Sequence, residues 1–447
     1  MANPEMVTFQ KSIPVRHTVD VLVAGGGPAG LAAAVTAARQ GRSVFLAEGH
    51  TCFGGMGTAA MVPVFMPFGD GVNFLAGGFG KEVYDRLFAA KGTGPDDRQG
   101  TLGHVVFQVE VLKRLYDEMV VGAGMGFAFQ TQVIGVETHN QHIDHAICAA
   151  KSGLFAIRAH TFVDCTGDGD VAAWAGAPFE KGDEQGGMMA GTLCSLWADV
   201  EWDTVRKAGL NAEAELPKAF NDKVFTIEDR HLPGMFRVGT RVAGGNVGHT
   251  FGVDSTDERS LTKGFLWGRK SLPEYEKFYK SYMKGFEKMM LVATGSLLGI
   301  RESRRIMGDY VLNLDDFRKR AVFDDEIGRF SYPVDIHSST PDNKGYAQYA
   351  QAFRNLRYAK GENYGIPFRT LVPKNLHNVL VAGRCLSADR YIQGSVRVMT
   401  GCFITGQAAG MAAAMTVEKK ADVRDVSVPE LQARLKKMGA FLPNFKG

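Results

Sequence analysis

The stretch VDVLVAGGGPAG, Val19 to Gly30, constrains this chain more than any other. Four of the five residues from Val19 to Val23 are apolar and suit a short buried strand. The run GPAGLAAAVTAARQ that follows is built of helix formers and meets no further breaker until Gly41. A strand, a tight turn and a helix therefore succeed one another. Gly25, Gly27 and Gly30 fall in the G-x-G-x-x-G spacing, which serves in that order the turn, the approach of a pyrophosphate, and close packing of helix on sheet. Pro28 and Ala29 open the helix, whose unpaired N–H groups and positive dipole end face an anion.

A lone glycine pattern is weak, and its partner is an acid at the end of the next strand. Gly41 ends the helix and RSVFLAE runs as a strand to Glu48, about twenty residues beyond the turn, where a carboxylate accepts both ribose hydroxyls of an adenosine. An adenine dinucleotide is the reading, with NAD and FAD both open on these residues. Directly after comes TCFGGMGTAAMV, Thr51 to Val62, a second glycine-rich segment along which an extended diphosphate can lie.

With 447 residues there is room for two or three domains and a large core. A net charge of +3 on a chain with 22% charged residues demands neither nucleic acid nor an anionic membrane surface. The six cysteines form no C-x-x-C pair and have no histidine at metal-ligand spacing, so they read as free thiols and no metal is expected. The N-terminus has no apolar leader and no apolar run reaches eighteen residues, which makes the cytoplasm the expected location, without a membrane span.

Further along, FQVEVLKRLYDEMVVGAG places Val109, Val111, Leu112, Leu115 and Met119 on one helical face that ends near Gly122. FAFQTQVIGVET, DHAICAA and LFAIRAH read as a small antiparallel meander, and HTFVDC, His160 to Cys165, as the strand that returns to the main sheet before TGDGD. GGNVG at Gly244 to Gly248 has no buried strand before it and no third glycine at the right spacing, so it is no second fingerprint. The expected architecture is α/β, with a Rossmann-like nucleotide domain discontinuous in sequence: residues 1–185 with a β insertion at about 125–160, a substrate-side α+β domain over 186–375, a return over 376–417, and a C-terminal segment over 418–447 whose helix is amphipathic around VPELQARLKKMG.

GGGPAG, Glu48, FVDCTGDGD, GIRESRRIMGDYVL, SYPVDIH and VAGRCLSADRYIQGSVRVM, in this order and over nearly the whole chain, resemble the FAD-dependent oxidoreductase family. That family is similar in fold to flavoproteins of the glutathione-reductase and fumarate-reductase type. The resemblance implies FAD, with Gly25, Gly27 and Gly30 on the pyrophosphate and Glu48 on the ribose. Gly54, Gly55, Met56, Gly57 and Thr58 would pass beneath the diphosphate and ribityl chain. In Thr166-Gly167-Asp168 the acid looks like that of the strand-end motif near FAD. Gly383 and Arg384 stand where relatives place a glycine-acid pair; the arginine puts a ribityl carboxylate contact in doubt and leaves backbone contact from Gly383. A helix opening near Ser395 and Val396 would turn its N–H groups toward charge developing on the flavin. Arg397 either adds a full charge there or pairs with Asp389.

One fingerprint without a second argues for electrons drawn from a substrate rather than from a bound nicotinamide. The leading function is a dehydrogenase of a hydroxyl-bearing, sugar-like or other small polar molecule, with an unknown electron acceptor. His337 is the candidate base, with Asp335 two residues away on the same side of an extended segment; the plain alternative is a histidine bonded within its loop. In RESRR, Arg301 and Arg305 are i,i+4 neighbours if helical and point together into one pocket; the plain alternative is a solvated basic face. Two rival functions stay open: reduction of an activated C=C bond with arginine as acid, and a non-catalytic or RNA-associated flavin module, the latter opposed by the absence of a basic run with interleaved aromatics.

Overall fold

The computed structural model describes residues 6–232, 234–341, 351, 353 and 356–446. Its first layer is a seven-stranded sheet built on β1 (Val15–Ala24), which is followed by α1 (Pro28–Arg39) and β2 (Val44–Ala47). β1 is longer than the five residues expected, and its inner part earns the central place: Val21, Leu22 and Val23 bury both faces, as a parallel strand covered on two sides must. β3 (Gly126–Ala128) lies parallel to β2, and β4 (Gln132–His139), β5 (His142–Ala150) and β6 (Gly153–Asp164) complete the order β3-β2-β1-β6-β5-β4.

Two details of the expected meander are corrected here. The FAF segment is the parallel edge strand β3 and takes no part in the antiparallel hairpins. LFAIRAH and HTFVD are one strand, because no turn residue separates them. β6 pairs with β1 along its length on one edge; on the other it pairs first with β5 and then, from Phe162, with the returning strand Val379–Val381.

The second layer is an antiparallel sheet of β7 (Ser195–Ala198), β8 (Gly234–Arg237), β9 (Ala243–Asn246) and β10 (Met290–Thr294), in the order β8-β9-β7-β10. The 25-residue helix α2 (Glu258–Tyr282) is N-capped by Asp257, and its Leu272, Phe278 and Tyr279 share an apolar core with Trp197. That core runs from Leu193 to Ile300. Leu312, Phe317, Ile327, Phe330, Tyr364 and Ile366, inside the 186–375 span read as substrate domain, are packed into the core of the first layer instead.

The chain returns through α3 (Arg390–Val396) and α4 (Met399–Lys419), which meet at a bend of 92°. α4 is buried all round from Met399 to Thr416 and lies on α1, which is buried from Pro28 to Ala37. Among the described residues no single helix is long and apolar enough to cross a membrane; the bent α3–α4 pair passes by length and composition only, and α4 is core.

Candidate active site

One cavity of about 730 Å³ is lined by residues of both layers, Glu48 and His337 among them. The glycines of the first turn divide their work. Gly25 has φ +90° and a Cβ there would stand 2.6 Å from the Cys165 carbonyl oxygen. A Cβ on Gly30 would stand 1.8 Å from the Gly25 oxygen, so this glycine lets helix meet strand. A Cβ on Gly27 would meet nothing within 4 Å; it would project into the cavity, where room is kept for something that is not protein. α1 has no side-chain cap at Gly27 and no acid in its first turn, which leaves its N–H groups for an anion.

Glu48 is buried, with Oε2 accepting from the Gly26 N–H at 2.7 Å and Oε1 from the His50 N–H at 2.7 Å. The carboxylate thus braces the glycine turn and still has lone pairs for a ribose. Of the expected cofactor residues, Gly25, Gly27, Pro28, Ala29, Glu48, Gly55, Met56, Thr166, Gly167, Asp168, Gly383, Arg384 and Arg397 line the cavity. Gly30, Gly54, Gly57, Thr58, Ser395 and Val396 do not. Gly54 holds φ +104° with Thr58 against it, and a Cβ on Gly57 would stand 2.9 Å from Met399 Sδ, so both shape the segment from behind. The Thr58 hydroxyl donates to the Phe53 carbonyl.

Arg384 explains its own departure from the expected acid. Its Nε donates to the Gly167 carbonyl at 2.9 Å, Nη1 to the Ile300 carbonyl at 2.9 Å, and Nη2 to Asp168 Oδ1 at 2.6 Å. The guanidinium ties the TGD turn to the end of the second layer, and Asp168 also accepts from the Ser255 hydroxyl at 2.8 Å. Beneath the turn, Asp164 accepts from Thr166 and from the Ala172 N–H, and burial raises its pKa to about 6.

The helix expected to open near Ser395 opens four residues later, at Met399. Ser395 and Val396 end α3 and face inward, with the Ser395 hydroxyl bonded to Tyr364 and to the Tyr332 carbonyl. The chain turns because Gly401 packs against the Val396 carbonyl, where a Cβ would stand 2.3 Å away. Val398 gives α4 no side-chain cap, the first turn holds no acid, and Arg397, Val398 and Met399 line the cavity. Arg397 reaches Asp335 Oδ2 at 3.1 Å. Asp389, the partner weighed for it, caps α3 through the Ile392 N–H.

The helical reading of RESRR is overturned. Residues 301–303 are irregular and Arg304–Ile306 is a strand paired with Phe179–Lys181. Arg301 lines the cavity and Arg305 does not. Arg305 is bound to Glu302 at 2.6 Å, which also accepts from the Met189 N–H and meets Arg390 at 3.2 Å. Arg301 donates Nη1 to the Ala190 carbonyl at 2.7 Å and to the Thr192 hydroxyl at 2.9 Å. Burial, then the charge of Arg397, brings its pKa down to about 10.

His337 and Asp335 line the same cavity. Burial of Asp335 favours its neutral form, but His337, Arg397 and Arg301 more than reverse this and hold the carboxyl well below its ordinary value. His337 is not alone: Nδ1 lies 2.9 Å from Nε2 of His249, whose Nδ1 lies 2.8 Å from Asp229 Oδ2, while His337 Nε2 is 3.4 Å from Asp335 Oδ1. His231 stacks on His249 and meets His337 edge-on. Burial first, then nearby positive charge, holds His337 well below its ordinary pKa and brings His231 to about 4. Nothing in the sequence joins these rings. Asp229, His231 and His249 lie in polar loop sequence far from SYPVDIH, and no local spacing rule reaches across it.

The charges around the rings favour one pair of tautomers. Asp229 Oδ2 approaches His249 Nδ1 as an ion pair, off the line of a hydrogen bond, and its charge favours a proton on that nitrogen; His249 Nε2 is then the acceptor and His337 Nδ1 its donor. His337 Nε2 is then left with its lone pair, 3.4 Å from Asp335 Oδ1, on a residue that lines the cavity. A proton arriving there completes the last link, to Asp335. The three rings offer nitrogens within 4.8 Å of one another, a spacing a divalent ion can use. The hydrogen bond between two of them and the guanidinium of Arg301 favour proton handling.

A family model described as FAD dependent oxidoreductase matches residues 20–435. No curated protein matches the chain in sequence. Among solved structures, a geranylgeranyl bacteriochlorophyll reductase-like protein from Thermoplasma acidophilum is 14% identical with a TM-score of 0.47, over 94% of this chain and 83% of that one. The p-nitrophenol 4-monooxygenase PnpA from Pseudomonas putida is 11% identical with a TM-score of 0.49, over 95% and 87%.

Proposed function

The chain belongs to the FAD dependent oxidoreductase family, is an enzyme with FAD as its cofactor, and on that premise we propose that it dehydrogenates a small hydroxyl-bearing substrate with His337 as base. The reading fits the cavity in two ways. Gly27, Glu48, Gly55 and the uncapped starts of α1 and α4 offer space, a ribose acceptor and anion-facing N–H groups for the cofactor. FAD when bound supplies the acceptor for the hydride that leaves the hydroxyl-bearing carbon.

The proton is the protein's share of the reaction, and the Asp229–His249–His337 chain carries the proposal. His249 holds the His337 ring in the tautomer whose Nε2 is basic, and the charge of Asp229 beside His249 Nδ1 favours the matching tautomer of His249. Taking the hydroxyl proton gives Nε2 an N–H to donate to Asp335, which Arg397 keeps ionised. Burial disfavours the resulting imidazolium, and Asp335 offsets part of that cost. The low pKa of the resting ring keeps the base unprotonated at neutral pH.

Anaerobic mixing of the FAD-loaded enzyme with a panel of polyols and hydroxy acids tests this. At least one should bleach the flavin, and His337→Gln should retain FAD while losing about 10²–10⁴-fold in bleaching rate. The second reading, reduction of an activated C=C bond, is favoured by the lowered pKa of Arg301, which makes a better proton donor. It predicts the reverse: no bleaching by hydroxy compounds, and reoxidation of pre-reduced flavin by unsaturated acids.

A further inference from the structure

The arginines gathered around this cavity are buried or half-buried and have carboxylates, with one exception. Arg384 holds Asp168 at 2.6 Å, Arg304 holds Asp170 at 2.6 Å, Arg397 holds Asp335 at 3.1 Å, and Arg305 holds Glu302 at 2.6 Å. Arg301 is 8% exposed and lines the cavity, yet among the described residues no carboxylate comes within 4 Å of it. Its acceptors are neutral: the Ala190 carbonyl, the Thr192 hydroxyl and, at 3.4 Å, the Asn246 side-chain oxygen. They aim the guanidinium without neutralising it. A charge taken out of water is costly unless an opposite charge meets it, and the acids nearest by, Asp335 and Asp229, are engaged by Arg397 and His249.

We infer that the substrate brings the missing carboxylate: Arg301 is the seat of an anionic group, and the molecule oxidised beside His337 is a hydroxy acid. The inference rests on the dehydrogenase reading for the hydroxyl and on the geometry of Arg301 for the acid. A planar fork meets a carboxylate edge with two parallel N–H bonds, which fixes orientation as well as affinity. The seat is also held from its backbone. Gln393 of α3 donates to the Arg301 carbonyl at 3.0 Å, and Gly394 beside it packs on Asp335, where a Cβ would stand 2.9 Å from the carbonyl oxygen. One short helix therefore sets Arg301 and the Asp335–His337 segment relative to each other, as selection of a single substrate pose requires.

The test is binding to the FAD-loaded protein, read by calorimetry and by the shift of the flavin spectrum under anaerobic conditions. Acetate, lactate and benzoate are each compared with their neutral amides. At least one carboxylate should bind tenfold or more tightly than its amide, and Arg301→Gln should bring the preference within twofold at unchanged FAD content. Arg301→Met, which keeps the stem and removes the charge, serves if the glutamine variant fails to fold. A wild type indifferent to charge in all three pairs overturns the inference, as does a preference that survives in both variants. Loss of FAD itself from the variants would assign the guanidinium to the cofactor and also overturn it. Failure of the dehydrogenase reading looks different: carboxylates bind with the expected preference, and no hydroxy acid bleaches the flavin.

Discussion

The glycines of the first turn show how one residue type does different jobs a few positions apart. Gly27→Ala adds a methyl to open cavity, so the apoprotein should melt as the wild type does while FAD binding falls at least tenfold, measured by fluorescence on titration. Gly30→Ala drives the same methyl into the Gly25 carbonyl oxygen and should cost about 3 kcal/mol or more of stability, or prevent folding. The histidines make a prediction with a sign. His231 titrates near 4 when folded and near 6.5 when unfolded, so the unfolded chain takes up the proton first. Its contribution is present above pH 6.5 and is lost as pH falls from there toward 4. Denaturant melts of His231→Gln should accordingly weaken less than the wild type over that window, by up to about 3 kcal/mol. Spacing made the glycines and Glu48 legible, since strand, turn and helix are local. The histidine group was not legible, because it is assembled from loops whose meeting is a tertiary event.

At the scale of elements, α1 and α4 meet through backbone. A Cβ on Gly406 would stand 2.2 Å from the Ala29 oxygen, and one on Gly410 would stand 2.1 Å from the Ala33 oxygen. Alanine normally favours a helix by about 1 kcal/mol over glycine, and Gly410→Ala should nonetheless lower the melting temperature because the two helices must separate. Gly122, the last residue of helix Val109–Gly122, has nothing within 4 Å of its added Cβ, so Gly122→Ala is the control and should be neutral or mildly stabilising. The return of the chain over 376–417 with a helix in it was legible. The start of that helix was not: the run from Gly394 to Thr400 holds no proline to mark a break, and the close approach of Gly401 to the Val396 carbonyl places the bend and sets Met399 against the cavity. In the same way RESRR has the spacing of a helix but is irregular over 301–303 and enters a strand at Arg304, because Phe179–Lys181 offers Arg304–Ile306 an edge to pair with.

At the scale of the molecule, the cavity between two cores makes stability depend on what fills it. FAD binds the folded chain and not the unfolded one, so the holoenzyme should melt above the apoprotein, with about 2.7 kcal/mol gained when free FAD stands at a hundred times its Kd. Prolonged dialysis against a chelator should leave flavin bleaching unchanged if His231, His249 and His337 handle protons; a loss restored by a divalent ion would assign them to a metal instead. The sequence by itself determined the glycine turn between strand and helix, the acid at the end of the next strand, the strand-end TGD and the family to which they point. These need only neighbours along the chain, and their geometry follows from strand, turn and helix preferences. Tertiary structure alone decided which arginine faces the cavity, where the second helix opens, and that His337 is backed by His249 and Asp229. Those depend on segments up to a hundred or so residues apart being pressed together by two separate apolar cores, and burial, unlike propensity, cannot be read from any one of them.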